Sequence, residues 1–197
     1  MTTYLYNGNL IAAPVTFLSN KPVFAVDSIS LKQYRTAQDA QRWEVSFGAL
    51  TNDNVAETFL ASITEMDATS SMIMPQLKEV DDRRTASGSM VAAAEAVAGA
   101  DTVTFALSNT GLLPKGSFVK FANHTKVYIT TADFIFGSNT VLNIFPKLVA
   151  TVPSSTAFNY GSGCVLTYFR SINNSAGITY VDGVLADVGT ITVVEAI

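Results

Sequence analysis

Alternating apolar and polar residues predict a strand in the first part of the chain. Between residues 41 and 47, Trp43, Val45 and Phe47 occupy every second position. Because successive side chains of a strand point to opposite faces, these three residues share one face. We expect that face to lie against the core.

A helical spacing follows this strand and predicts a helix over residues 54–67. Asn54 and Glu57 have the spacing of a capping box, in which each side chain satisfies a backbone N–H at the start of the helix. One apolar stripe then recurs with helical period. Its residues are Val55, Phe59, Leu60, Ile63 and Met66.

Three further segments in this part of the chain are extended by composition: residues 10–18, 22–26 and 71–75. Together with the Trp43 strand and the helix, they predict a small α+β module over residues 1–80. The apolar stripe of the helix is expected to pack on the face that carries Trp43.

Residues 81–97 are predicted to form a linker or small-residue segment. It starts within the densest charge cluster, Glu79-Val80-Asp81-Asp82-Arg83-Arg84, and continues through Ser87-Gly88-Ser89. The Ala-rich stretch 90–98 favours a helix by propensity, and short β-segments through small residues are the alternative.

The second half of the chain has the pattern of short strands joined by turns. Residues 98–170 therefore predict a β-barrel-like or sandwich-like module. Residues 171–197 add a C-terminal hairpin around Asp182-Gly183 and a last strand over residues 190–194. The predicted fold class is α+β, mostly β. The predicted strands of the module are 102–107, 118–121, 126–130, 140–145 and 165–169.

Charge is scarce in this chain. Charged residues make up 14% of the 197 residues, against about 25% in an ordinary soluble domain. A formal charge of −4 argues against binding nucleic acid through its phosphates. A weakly charged surface is typical of a subunit covered by neighbours, and a β-rich domain with a hydroxyl-rich surface is the alternative.

Catalytic candidates are few, because the chain has one cysteine and one histidine. Cys164 and His124 could form a nucleophile–base pair. Cys164, however, enters an apolar strand, and His124 lies in a predicted turn, so a buried thiol and a hydrogen-bonded turn residue are favoured. We predict no enzyme activity, no cofactor and no metal site.

Two other clusters, one acidic and one aromatic, offer groups for a binding site. Glu79, Asp81 and Asp82 offer oxygen ligands for a hard cation, but two arginines follow at once and a solvated linker is favoured. Aromatic residues could form a platform that stacks on carbohydrate, although their places in alternating strands favour the core or an interface. The tyrosines concerned are Tyr4, Tyr6, Tyr160, Tyr168 and Tyr180.

Targeting and membrane segments are not expected. Residues 1–4 do not begin a basic stretch followed by an apolar one, as a secretory signal would. The apolar stretches are interrupted before they reach the ~20 residues that a membrane-spanning helix needs. The expectation is synthesis in a cytoplasm, without membrane insertion.

Two stretches of the chain contain several motifs in a characteristic order. The first contains Arg42-Trp43-Glu44-Val45-Ser46-Phe47, the predicted helix and Ile73-Met74-Pro75. It resembles the opening module of small tail and baseplate proteins of double-stranded DNA bacteriophages, and the second stretch resembles the β-rich module of the same proteins. The second runs from residue 98 to residue 167. Its landmarks are Leu113-Pro114-Lys115-Gly116-Ser117-Phe118, Asn123-His124-Thr125-Lys126-Val127-Tyr128 and Asn143-Ile144-Phe145-Pro146-Lys147-Leu148.

The resemblance implies a virion protein that is made in the host cytoplasm and located in the distal tail or baseplate. It would bind other tail proteins as a ring or wedge subunit and connect the tail tube to the baseplate or fibres. A carbohydrate-binding module for receptor recognition at the tail tip is the alternative. Residues expected to matter for folding are Trp43, Phe59, Phe105, Phe118, Tyr128 and Phe145. The hypothesised interface residues, on an apolar terminal arm and the charged linker, are Tyr4, Tyr6, Leu10, Ile11, Asp81, Arg83 and Arg84.

Overall fold

A computed structural model gives the fold of most of the chain. The residues that it describes are 5–6, 9–27, 33–37, 40–49, 69–106, 110–138, 140–170, 179–181, 184–187 and 190–197. The predicted helix 54–67, and Phe59 within it, lie outside this set.

Strands dominate the described residues, as the sequence pattern predicts. No helix in the described part has the length and apolar character needed to cross a membrane. In chain order the elements are β1 (Leu5–Tyr6), β2 (Asn9–Asn20), β3 (Val23–Asp27), β4 (Gln33–Ala37), β5 (Arg42–Ala49), β6 (Ser70–Ile73), α1 (Lys78–Arg83), β7 (Met90–Val91), β8 (Thr102–Thr104), β9 (Gly111–Leu113), β10 (Phe118–Phe121), β11 (Val127–Thr130), β12 (Phe134–Phe136), β13 (Val141–Phe145), β14 (Ala157–Tyr160), β15 (Val165–Arg170), β16 (Thr179–Val181), β17 (Val184–Asp187) and β18 (Thr190–Glu195).

A closed barrel is formed by strands from distant parts of the chain, in the order β1-β2-β5-β18-β15-β6. Strand β18 lies between β5 and β15 and pairs antiparallel with both. Closure leaves the barrel without a free edge, which removes the risk of edge-to-edge aggregation. The N-terminal strands therefore depend on the C-terminal ones for their hydrogen bonds.

The Trp43 strand is confirmed as β5. Trp43, Val45 and Phe47 are 6%, 0% and 0% exposed, respectively, and face the barrel core. Its neighbour β2 contains Pro14 in an irregular stretch, where the register with β5 shifts between Ala12 and Val15. Proline has no N–H to give to a ladder, so it is tolerated at such a bulge.

A second, six-stranded sheet has the order β7-β14-β10-β11-β13-β8, and every pair in it is antiparallel. The Ala-rich stretch contributes β7 and two isolated bridges, Ala92 to Phe105 and Ala96 to Val152. This supports the β alternative over the helix for that stretch, because alanine lets neighbouring backbones approach closely. A two-stranded sheet, β9 with β12, adds Leu113 and Phe134 to the same core.

The strand order divides the chain differently from the predicted modules. The strands of the open six-stranded sheet lie within residues 90–160, whereas β15 and β18 belong to the barrel with the N-terminal strands. Part of the predicted linker is α1. Residue patterns reveal where strands lie, but they do not reveal which distant strand is the partner. Strands β16 and β17 form the predicted C-terminal hairpin.

Two side chains of the open sheet reach into the barrel core. Phe118 and Val127 cluster there with Trp43. The Trp43 ring meets the Phe118 ring edge-on at 5.4 Å, and Trp43 Nε1 donates a hydrogen bond to the Val127 carbonyl at 2.8 Å. Of the residues expected to matter for folding, Phe105 and Tyr128 are also buried, in the core of the open sheet. Phe145 is half-buried.

A buried ion pair joins the two sheets. Lys126 and Glu195 are each 0% exposed and are paired through Nζ and Oε2. The Glu195 carboxylate also accepts the backbone N–H of Trp43 at 3.1 Å and that of Val127 at 2.6 Å. Lys126 Nζ donates a further bond to Gln41 Oε1 at 2.6 Å. Each charge therefore has several partners, which offsets the cost of removing it from water.

We predict that Glu195→Ala lowers the free energy of unfolding by about 3–5 kcal/mol, because it leaves a buried ammonium group and two buried N–H groups without their acceptor. Urea unfolding followed by the fluorescence of the single tryptophan measures this loss. Lys78→Ala is the matched control, since Lys78 pairs with Asp82 on the exposed side of α1. It should leave the midpoint unchanged, and an equally small effect of Glu195→Ala would contradict the prediction.

Candidate interaction surface

The thiol of Cys164 is sealed in the barrel core. Its side chain is 1% exposed and packs in the cluster that contains Trp43 and Leu166. Burial raises the pKa of this thiol to about 12, because the thiolate would lose its hydration. Cysteine reactivity needs the thiolate, so Cys164 is not poised as a nucleophile.

His124 is held in a chain of hydrogen bonds. Tyr128 Oη accepts the Val149 N–H at 3.2 Å and is 2.7 Å from His124 Nε2. Nδ1 lies 2.9 Å from Asn123 Oδ1, and Asn123 Nδ2 donates to the Thr151 carbonyl, so Oδ1 accepts and Nδ1 carries a proton. Burial lowers the pKa of His124, which favours the neutral ring, and in that form Nε2 accepts the Tyr128 hydroxyl hydrogen.

The charged residues of the hypothesised interface pair within the chain. Asp81 and Arg84 form an ion pair at 2.9 Å, and Arg83 pairs with Asp133 at 2.9 Å. Among the described residues, no group of three or more His, Cys, Asp or Glu side chains is placed to hold a metal ion. Arg83 therefore fastens α1 to the loop that contains Asp133, whereas Asp81 and Asp82 pair with neighbours in their own segment.

The hypothesised terminal arm is partly incorporated into the barrel. Tyr6 pairs with Asn9 and Met72, while Ile11 pairs with Ala49. Leu10 also lies in a paired strand, and Tyr4 lies outside the described residues. The described residues of this arm, 5–6 and 9–12, give backbone hydrogen bonds to barrel strands, and their contact with a neighbour stays a prediction.

Several of the aromatic residues weighed as a carbohydrate platform are in the core. Tyr168 is 2% exposed, and among the phenylalanines Phe105 and Phe121 are 1% and 0% exposed. Tyr160 is half-buried and donates its hydroxyl hydrogen to the Gly88 carbonyl at 2.7 Å. Nothing is described for the side chains of Tyr6 and Tyr180.

A small polar pocket of about 320 Å³ lies beside Tyr160. Its lining includes Arg84, Asn159 and the loop Ser87-Gly88-Ser89. The Arg84 guanidinium lies next to Gly161, whose φ of +59° is a conformation that glycine adopts most readily. A Cβ at this position would come within 2.1 Å of Nη1, so a larger residue would displace the guanidinium from the pocket wall.

A larger groove of about 840 Å³ opens where the barrel meets the open sheet. Apolar side chains form part of it, and Val149 and Ile197 are 39% and 59% exposed. Gln41, which binds Lys126, belongs to its lining, so the buried ion pair supports one wall of the groove. The remaining lining residues are Asn20, Pro22, Ala40, Arg42, Ala98, Gly99, Leu148 and Val194.

An exposed β-hairpin starts at the rim of this groove, next to Pro22. It consists of β3 and β4, which pair with each other over five residues and form a separate two-stranded sheet. Val23 and Val26 are 50% and 47% exposed. An isolated hairpin is marginally stable in water. Valines that stay exposed contribute no burial energy to its stability. We call this element the β3–β4 hairpin and the groove beside it the junction groove.

Sequence reasoning missed the junction groove and the ion pair beneath it, although one signal was available. In β18, Ile191, Val193 and Glu195 occupy alternate positions. The two apolar residues define the buried face, so the same period places the glutamate inside the barrel. A buried carboxylate requires a buried partner, and that requirement would have directed attention to Lys126.

Comparison with protein-family models finds no match for this chain. Comparison with curated proteins finds no significant similarity either.

We predict that stability falls as the pH drops below about 6.5 and that His124→Gln reduces this loss. Burial, together with the charges of Lys120 and Lys126, holds the pKa of His124 below its ordinary value of 6.5. Between that lowered pKa and pH 6.5, His124 is protonated in the unfolded chain and neutral in the folded chain. Acid therefore favours the unfolded state in this interval. The measurement is the urea midpoint at about pH 7.5 and about pH 5.5. An unchanged pH dependence in the variant would contradict the assignment.

Proposed function

We propose that this protein is a structural subunit of a bacteriophage tail, located in the distal tail or baseplate, where it binds other tail proteins in a ring or wedge. The sequence resemblance gives the class of particle. One structural observation supports a role in protein binding: among the described residues, four exposed large apolar side chains lie on two neighbouring surface features, Val23 and Val26 on the β3–β4 hairpin and Val149 and Ile197 in the junction groove beside it.

Burial of these surfaces by neighbours explains the composition. Exposed apolar patches on a free monomer favour aggregation, and they are retained where a partner covers them. The chain also has 14% charged residues, so it has few charges to keep such patches apart in solution. A subunit surrounded by other proteins needs fewer charges, because less of its surface meets water.

The side chains considered for chemistry support the same proposal. Cys164 is enclosed in the barrel core, and its thiol has a raised pKa. His124 holds the turn between β10 and β11 to the segment around Val149 and Thr151. Each of these residues has a structural role that accounts for its position.

We predict that the chain is present in purified particles of the phage that encodes it, in several copies per particle. Mass spectrometry of gradient-purified virions measures the copy number relative to the major capsid protein. Immunogold labelling with antibodies against the chain should mark the tail end, while antibodies against the capsid protein mark the head as the control. Detection in the infected lysate but not in purified virions would overturn the proposal.

Carbohydrate recognition is the second candidate, and the polar pocket beside Tyr160 favours it. The guanidinium of Arg84, the amide of Asn159 and a half-buried tyrosine ring are groups that bind sugars in other proteins. If this candidate is right, the isolated chain binds on a glycan array and Asn159→Ala weakens that binding by about tenfold, the value of one strong hydrogen bond. A blank array would leave the pocket without a ligand of this class and refute the candidate.

A further inference from the structure

The β3–β4 hairpin and the junction groove are complementary to each other. On β3, Val23, Ala25 and Asp27 occupy alternate positions and so share one face of the hairpin. All three are exposed. This face therefore presents two small apolar side chains followed by a carboxylate, over about 13 Å of strand.

The junction groove offers the matching set of groups. Val149 and Ile197 supply exposed apolar surface, and Arg42 is an exposed cation among the lining residues. Within the described part of the chain, no salt bridge engages the Arg42 guanidinium. An apolar surface with one cation at the groove suits an apolar strand that carries one carboxylate.

We propose that the β3–β4 hairpin of one copy docks in the junction groove of a second copy. Val23 and Ala25 pack against Val149 and Ile197, and Asp27 pairs with Arg42. The inference rests on the proposed function, because it takes the chain to act through contacts between proteins, and it names a second copy as the partner.

A second copy is favoured over an unrelated protein because each chain carries both halves of the contact. The hairpin does not cover the groove of its own chain, since Val23 and Val26 are exposed although the hairpin starts at the groove rim. Docking on a neighbour covers both surfaces with one contact. Such a contact joins two different patches, and its repetition builds closed rings when the rotation between copies is suitable.

Disulfide trapping between two variants that each carry one introduced cysteine tests the contact. Ala25→Cys places a thiol on the hairpin, and Val149→Cys places one in the groove. The native Cys164 is buried in the barrel core and does not compete. Mixing the two purified proteins under mild oxidation should give a disulfide-linked dimer that contains one chain of each type, identified by mass spectrometry.

Charge reversal tests the predicted ion pair. In the same assay, Arg42→Asp on the groove chain should reduce trapping about tenfold, and Asp27→Lys on the hairpin chain should restore it. Ile135→Cys is the control for non-specific collision, because Ile135 is 47% exposed on β12 and lies outside the groove lining. It should not be trapped with Ala25→Cys.

Trapping no faster than the Ile135→Cys control, with circular dichroism showing all variants folded, would overturn the inference. Trapping that is insensitive to Arg42→Asp would overturn the assigned geometry. Neither result bears on the presence of the chain in virions, so failure of this inference and failure of the proposed function are distinguishable.

Discussion

The Lys126–Glu195 ion pair is the constraint on which the arrangement of the two sheets depends. A charge with no water around it is tolerated only where partners surround it, and here the partners come from both sheets. If the barrel moved relative to the open sheet, Lys126 or Glu195 would lose them. The ion pair thus fixes the relative position of the two sheets. Hydrophobic packing is non-directional and would fix that position less specifically.

The buried ion pair also contacts a residue that lines the surface groove. Gln41 binds the buried lysine and lines the junction groove, and Val194 lies next to the buried glutamate in β18. The groove therefore has a fixed wall, whereas the hairpin at its rim is supported by its own pairing. The junction groove and the β3–β4 hairpin are the two surfaces that the proposed contact between copies uses.

Local patterns predicted the strands well where one face is buried. The alternation around Trp43 gave the correct strand and the correct inward face, and the turn between residues 121 and 127 joins two paired strands as expected. The patterns were silent on β14 and on the pairing of β18 with β5, because period-two alternation contains no information about distant partners. For the same reason, the predicted module boundaries separated strands that share one barrel.

The site was predictable only in part. The sequence marked Cys164 and His124 as weak catalytic candidates, and their burial and hydrogen bonds agree with that interpretation. It did not mark the groove, since a groove arises from residues that are far apart in the chain, such as Arg42 and Val149. The valines of β3 fit an ordinary strand pattern, and that pattern does not reveal that β3 pairs with β4 alone.

The barrel topology has a consequence for biosynthesis. Trp43 and Glu195 are hydrogen-bonded across 152 residues of chain, so β5 leaves the ribosome long before its partner β18 exists. The barrel can close only after translation has passed β18, and until then one wall of the groove is unformed. The contact that we propose between two copies needs a complete groove, so it can form only after the barrel has closed.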